Sequence, residues 1–517
     1  MSKHLEIPAA KSGDAPTPGA PSSSVRRAYW TLALVASAVL SCAAVWMGGL
    51  NQDEGWYLYA ANLVADGAAP YRDFAFTQGP VMPFAYAAFA RIWQTFGLLG
   101  ARVFTLALGF LGVALAVATA RRLAPEGARR EAALVTFFLL ATNLYHLYYV
   151  AIPKTYALAA LFVLAGFYAL CRARDRAAAW SLAAGLAFAL AAGTRISLGA
   201  ILPVAGAGML WQWIRHAETR ALPRLVAFCV GGFGGLALVY GPFLCDPAAR
   251  AGLVAAQAYH AARSGFDPVW FVGSLSRLVR WYLPVFLVLG LGGFRRAGLL
   301  LAAFLAVFAV QMLAPFPYED YQVPVMALLA VYAAVNFVGA PSAAARAKKL
   351  LLVLGVCFAT SFGSPLLEKW TTNGQDRFWS LKKEKPELAQ LRDAAAEIES
   401  LDPGGRTLLT QDLYLAIETN RRVPHGLEMG PFSILSDAEW RQLLTTADAP
   451  VAALSAYTFA IDPPVCDERS LAQQLDYWEL LKKRYRLVRR VASFGQNATP
   501  LLILKKKPKQ AQFPPAS

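Results

Sequence analysis

The most constraining feature of this chain is a repeat of uncharged apolar runs, many about twenty residues long, separated by short gaps rich in arginine. About 20 apolar residues span a bilayer as a helix. Inside hydrocarbon, each backbone N–H and C=O must be paired within the protein, so such runs fold as helices. The runs lie at 28–52, 101–120, 132–150, 155–171, 179–194, 197–214, 222–244, 278–293, 297–314, 322–338 and 349–363, with a shorter one at 81–96. If 81–96 lies along the membrane instead of crossing it, eleven spans remain. The alternative for the first run is a cleaved signal peptide, whose apolar core is about 7–15 residues long. The run from Ala28 to Gln52 is longer and starts far from Met1.

The basic residues test that count independently, because cytoplasmic gaps collect Lys and Arg. Arg26-Arg27, Arg121-Arg122 with Arg129-Arg130, Arg172-Arg174-Arg176, Arg215-Arg220-Arg224, Arg295-Arg296 and Arg346-Lys348-Lys349 fall in alternate gaps. The gaps between them, at 51–80, 151–154, 195–196, 245–277 and 315–321, hold far fewer. The alternation works only with eleven spans. It predicts a cytoplasmic N-terminus and an extracytoplasmic C-terminal region, as in a multi-pass protein of the bacterial inner membrane.

Composition agrees. The chain is 57% hydrophobic and only 16% charged, against roughly 25% charged for a soluble domain. Residues 1–363 carry 28 Lys/Arg and 14 Asp/Glu, and 364–517 carry 21 and 19, so the net charges of +14 and +2 sum to +16. A nucleic-acid binder would cluster its basic residues on a soluble surface; here they mark membrane topology, which argues against a nucleic-acid partner. The six cysteines form no CxxC pair, so neither a metal ribbon nor a disulfide framework is predicted. Cys245 and Cys466 both fall on the outer side, where a disulfide between them is a candidate.

Three regions follow. Residues 1–27 include a Pro-, Ser-, Ala- and Gly-rich stretch, read as a disordered cytoplasmic tail. Residues 28–363 form an all-α polytopic bundle with an outer-face loop at 51–97. Residues 364–517 change character: Pro386–Ser400 reads as an amphipathic helix, and Arg406–Thr410, Val451–Ser455, Arg486–Ser493 and Leu501–Lys505 as strands. Strands alternating with helices predict a small extracytoplasmic α/β domain. The Lys505–Lys509 run reads as a solvated tail.

The first outer loop holds the densest chemistry. Asp53 and Glu54 follow directly on the first span. Trp56, Tyr57 and Tyr59 predict an amphipathic segment lying along the interface. Pro70-Tyr71-Arg72-Asp73 makes a stiff turn, and Gly79-Pro80 starts a second interfacial helix. A structured loop of this length folds a cavity against the membrane. Two adjacent carboxylates at its edge suit a general base and a charge-tuning partner.

These residues resemble a family. An Asp-Glu pair after the first span, a Tyr-rich segment, PYRDF, then QGP and an aromatic helix is similar to the GT-C glycosyltransferases of family 39. Its members include protein O-mannosyltransferases and lipid A aminoarabinose transferases. GTRISL at 193–198 and the Tyr-x-x-Pro of Tyr321–Pro324 extend the likeness. The resemblance implies a polyprenyl-phosphate-linked sugar donor reached from the outer leaflet, and a lipid, glycan or protein acceptor. It implies transfer with inversion, Asp53 as the base, and neither metal nor cofactor. Gln78 departs from the aminoarabinose transferases, which usually place a Lys before this Gly-Pro pair.

A leaving phosphate needs cationic stabilisation. The outer-side candidates are Arg72, beside Asp73; Lys154, in a very short turn; and Arg195, at the end of an apolar run. A charge near membrane depth is a functional candidate by default, and snorkelling to headgroups is the plain alternative. Tyr57, Tyr318 and Tyr321 offer hydroxyls to sugar or phosphate, or serve as interfacial anchors. Tyr259, His260 and Arg263 could touch an acceptor, and His146 reads as packing. A polysaccharide polymerase or ligase and a lipid-linked glycan flippase are the competing readings. A transporter favours ionisable residues in mid-membrane, whereas eight of the 14 acidic residues before position 364 fall in outer loops.

Overall fold

The computed structural model of the protein describes residues 23–173, 177–216, 221–261, 266–294, 296–314, 317–338, 343–372, 385–433, 435–455, 471–496 and 498–508. The expected tail falls outside these residues up to position 22, and the first helix begins at Ser23. Among the described residues, seven helices are long and apolar enough to cross a membrane. Two bent pairs bring the number to nine: Glu126–Ala141 with Leu144–Ala151 at 68°, and Pro268–Trp281 with Leu283–Gly292 at 78°. Each bend has a local cause. Asn143 interrupts the first pair and caps the new helix by accepting from the His146 N–H, and Pro284 sits at the start of the second helix of the other pair. Shorter apolar helices, Ala178–Thr194 and Gly298–Met312, occupy the two remaining expected runs. The short run at 81–96 breaks into Val81–Ala87 and the start of Arg91–Leu123, so it does not cross as one helix.

At the centre of the bundle stands Val323–Phe337, every residue of which is buried. Its short leading turn, Glu319–Gln322, carries Asp320 to the end of the bundle where the first-loop helix Gln52–Ala65 lies. A Gly-Gly-Phe-Gly-Gly stretch at 231–235 lies in Ala221–Cys245, which packs closely on Ala177–Thr194. A Cβ on Gly231 would sit 2.1 Å from the Leu182 carbonyl oxygen, so close backbone approach explains the glycine there.

The C-terminal region forms a four-stranded sheet in the order β1-β2-β4-β3, from Leu408–Leu409 (β1), Val451–Ser455 (β2), Tyr485–Phe494 (β3) and Thr499–Lys506 (β4). β1 and β2 run parallel, with Leu408 opposite Val451; β4 pairs antiparallel with both β2 and β3. All five residues of β2 are buried, as a strand covered on both faces requires. The Lys-rich end departs from the sequence reading: Lys505 and Lys506 lie in β4, with Lys505 opposite Val451, so the strand runs on into the charged segment. Helix Glu387–Leu401 turns Leu388, Leu391, Ala394 and Ile398 inward at helical spacing.

The first-loop helix, Gln52–Ala65, corrects a second expectation. It is not an amphipathic helix lying on an interface: Trp56, Tyr57 and Tyr59 are all buried. They share one apolar core with Met82, Tyr86 and Trp93 and with Leu388, Leu413, Tyr414 and Leu454 of the C-terminal region. The helix is sandwiched between the bundle and helix Leu413–Glu418 of the C-terminal region, so aromatic residues suit all its faces. A Cβ on Gly55 would meet the Tyr414 backbone nitrogen at 2.2 Å, which explains glycine at that contact. Among the described residues, Cys42, Cys229, Cys245 and Cys357 are free thiols; Cys466, the candidate partner of Cys245, lies outside the described residues.

Candidate active site

The loop into Gln52–Ala65 is set by a capping box. Asn51 accepts from the Asp53 N–H at 3.1 Å, and Glu54 Oε1 accepts from the Asn51 N–H at 2.9 Å. Asp53 and Glu54 therefore share a first helical turn but project about 100° apart, and they reach different partners. Glu54 is fully buried against Arg102, with Oε1 2.7 Å from Nη2 and Oε2 2.7 Å from Nε. The remaining Arg102 donors go to the carbonyls of Val45, Gly48 and Gly49 at 2.8–3.1 Å. All five guanidinium hydrogens are thus engaged. This closed pair locks the end of the first span to the loop that follows it. Glu54, read from the sequence as Asp53's partner in chemistry, is placed with Arg102 instead.

Asp53 faces a second cluster. Its Oδ2 lies 2.9 Å from Lys154 Nζ, which lies 2.9 Å from Asp320 Oδ2. Tyr156 donates its hydroxyl to the same Asp320 oxygen at 2.8 Å. Lys154 stands immediately before helix Thr155–Arg172 and Asp320 in the turn before the central helix, so two spans deliver the two charges. Lys154 Nζ also stands 4.8 Å from the centre of the Tyr156 ring. The Asp53 side chain is 22% exposed, against 7% for Lys154 and 11% for Asp320, and is the most accessible of the three.

Arg195 completes the cluster. Its guanidinium lies over the rings of Tyr321 and Tyr156, at 4.4 and 5.2 Å. It donates to Thr155 Oγ1 over a long 3.4 Å, and its buried Nε has no hydrogen-bond partner among the described residues. Burial pushes the Tyr57 phenol well above its usual range; Asp53 adds to that rise, and Arg195 and Lys154 oppose it. Tyr57 therefore lies within the field of all three charges.

The structure brings together five of the residues singled out in the sequence: Asp53, Tyr57, Lys154, Arg195 and Tyr321. Tyr318 borders them, edge-on to Tyr321 at 5.5 Å and 41% exposed. Arg72 and Asp73 do not join. They form an exposed pair at 2.8 Å, with Asp246 at 3.8 Å from Arg72. The Arg72 hydrogen bond and the Ala69 N–H hold Asp73 down at about 2. Gln78 has a backbone role, its carbonyl accepting from the Tyr71 hydroxyl. His146 is buried and contacts the Tyr282 hydroxyl at 3.1 Å, a packing role. The side chains of Tyr259 and His260, and residue Arg263, lie outside what is described.

Sequence reasoning missed Arg102 and Tyr156 and gave Asp320 no role. Arg102 left a signal: an arginine at the start of an apolar run is costly unless paired. Tyr156 left none, because a tyrosine near a span end is ordinarily an anchor. Among the described residues, no group of three or more His, Cys, Asp or Glu could hold a metal ion.

A helical membrane bundle whose first loop is clamped beneath a small α/β domain is the GT-C fold. Among solved structures, ArnT from Cupriavidus metallidurans bound to undecaprenyl phosphate is similar over 92% of this chain and 98% of its own, with a TM-score of 0.61 and 15% identity. Its apo state gives 0.59 and 16%, over 93% and 98%. The apo oligosaccharyltransferase of Archaeoglobus fulgidus gives 0.53 and 12%, over 94% of this chain and 75% of its own. At these identities the likeness is one of fold. No family profile and no curated protein sequence matches the chain.

Proposed function

We propose that this protein transfers a sugar, a hexose or a pentose, from a polyprenyl-phosphate donor to an acceptor hydroxyl on a lipid, a glycan or a protein. The reaction takes place at the outer face of the bacterial inner membrane, with the N-terminus in the cytoplasm and the sheet domain outside. The observation that carries this reading is the accessible Asp53 carboxylate, held by Lys154 beside the under-bonded Arg195 guanidinium. The fold shared with ArnT bound to undecaprenyl phosphate supports the donor class.

In this mechanism Asp53 takes the proton of the acceptor hydroxyl as the oxygen attacks the anomeric carbon. The sugar–phosphate bond breaks on the opposite side, and configuration inverts. Negative charge develops on the departing polyprenyl phosphate, where a cation is worth most. Arg195 suits that task, having a donor to spare and two aromatic faces to hold its plane. Lys154 sits between two carboxylates, so its ammonium holds one Asp53 oxygen and orients the side chain. Asp320 balances the lysine's charge and leaves the second Asp53 oxygen for the acceptor. Tyr57, Tyr318 and Tyr321 line the approach and can hydrogen-bond sugar or phosphate.

The test is transfer from a labelled polyprenyl-phosphate sugar by purified Asp53→Asn protein. Transfer should fall by about 10²-fold or more while the melting temperature stays at the wild-type value. A variant that turned over normally would remove Asp53 from the chemistry.

A further inference from the structure

A cavity of about 720 Å³ lies at the other end of the bundle, lined by Arg121, Arg122, Arg129, Arg224, Gln212 and Tyr168. Helix Arg91–Leu123 connects the two ends: Arg102 is locked to Glu54 near the proposed transfer site, and Arg121 lies 19 residues further on, about 28 Å along the axis. Helix Thr155–Arg172 spans the same interval, from Lys154 to the cavity wall at Leu170.

Two properties define the cavity. Among the described residues, its lining contains four arginines and no Asp or Glu. The Arg122 guanidinium stands over the Tyr168 ring at 5.6 Å, and Arg129 reaches Glu126 outside the cavity at 3.4 Å, with both side chains largely exposed. The rest of the wall is apolar and includes Phe167, Leu299 and Leu300. Four guanidiniums around one hollow concentrate positive potential, and their forked donors match phosphate oxygens. A soluble anion would use the charged rim and leave the apolar wall wet. An amphiphile satisfies both.

We propose that this cavity seats the phosphate headgroup of an anionic membrane lipid, with its acyl chains against the apolar wall. Basic hollows between spanning helices are suited to such headgroups. The site is separate from the transfer site, and its occupancy does not depend on whether the chain transfers sugar.

The experiment uses full-length protein in detergent and follows phosphatidylglycerol binding by native mass spectrometry and by thermal shift. Phosphatidylcholine and inorganic phosphate serve as comparison ligands. Wild type should bind phosphatidylglycerol in preference to phosphatidylcholine, gain thermal stability from it, and lose that gain at high salt. Arg121→Gln/Arg224→Gln should bind phosphatidylglycerol roughly tenfold or more weakly, with phosphatidylcholine binding unchanged. Arg121→Gln alone should show a smaller loss in the same direction, and it carries the test if the double variant fails to fold. Equal phosphatidylglycerol affinity in wild type and variants would overturn the proposal. So would stabilisation by inorganic phosphate as large as that by the lipid, which would make this a soluble-anion site. Because binding is read without turnover, failure here leaves the transfer reading intact, and an inactive Asp53→Asn protein leaves this one intact.

Discussion

Asp53 and Glu54 are neighbours in the chain, yet they head two clusters of opposite character. Around Glu54, every hydrogen of Arg102 is spent on a carboxylate or a carbonyl, and both side chains are fully buried. Around Asp53, one lysine is shared by two carboxylates, a buried arginine keeps a nitrogen with no hydrogen-bond partner among the described residues, and the aspartate remains partly open. A fully satisfied buried pair has no capacity left for a substrate; its removal is felt as stability. An under-satisfied cluster has been desolvated without full compensation, and a ligand supplies what is missing. Satisfaction of hydrogen bonds, and not charge or position in the chain, separates structure from proposed chemistry here.

The sharpest way to break this comparison is to neutralise each acid in turn. Asp53→Asn should lower transfer by about 10²–10⁴-fold, the range for loss of a general base, with no change in melting temperature. Glu54→Gln should do the reverse. It leaves Arg102 buried without its counter-charge, a loss of about 3–5 kcal/mol for a broken buried pair. The expected outcome is low yield and a depressed melting temperature, with the folded fraction retaining its turnover number. If Glu54→Gln folded normally and lost activity, the two clusters would be one functional unit.

Arg195→Gln comes next. It should reduce kcat/KM for the donor by about 10²-fold, in line with loss of one charge-stabilising donor, and leave acceptor KM unchanged. Steady-state kinetics against each substrate separate these. Unchanged donor kinetics would return Arg195 to an interfacial role, with Tyr321 and Tyr156 as its packing partners.

Much of the fold was legible in the sequence because hydrocarbon removes choice. The apolar runs and the alternation of arginines placed eleven segments, and the structure has a helix or a bent pair at each. The strands at Val451–Ser455 and Thr499–Lys506 were legible from short apolar runs. The site was only half legible. Asp53, Lys154 and Arg195 stood out as charges at span ends, but which charge meets which is decided by helix rotation and by distant turns. Asp320 lies 166 residues from Lys154, a separation no local pattern encodes. The interfacial reading of Gln52–Ala65 failed for the same reason. Its aromatics suited a water–membrane boundary, and nothing local announced that the C-terminal region would fold down over them.

That covering contact gives the smallest effect and the finest test. Asp412 is buried where the sheet domain meets the first-loop helix, accepting from Gln52 Nε2 at 3.1 Å and from the Tyr414 hydroxyl at 3.0 Å. Burial is the main influence on its carboxyl and pushes it above the model-compound value of 3.8, although the hydrogen bonds pull the other way. A raised folded-state value means the folded protein holds this proton at pH values where the unfolded chain has released it. Stability from this group therefore grows as pH falls from the raised value toward 3.8 and is least above that window. Asp412→Asn keeps a carbonyl acceptor for Gln52 and Tyr414 and removes the titration. Its stability should stay within about 1 kcal/mol of wild type, with the variant faring relatively better at neutral pH than near pH 4. Melting curves of both proteins across that range decide the matter. A difference independent of pH would show that Asp412 does not titrate there, and that the seam beside Asp53 is held by packing of Tyr57, Tyr414 and their neighbours instead of by a buried charge.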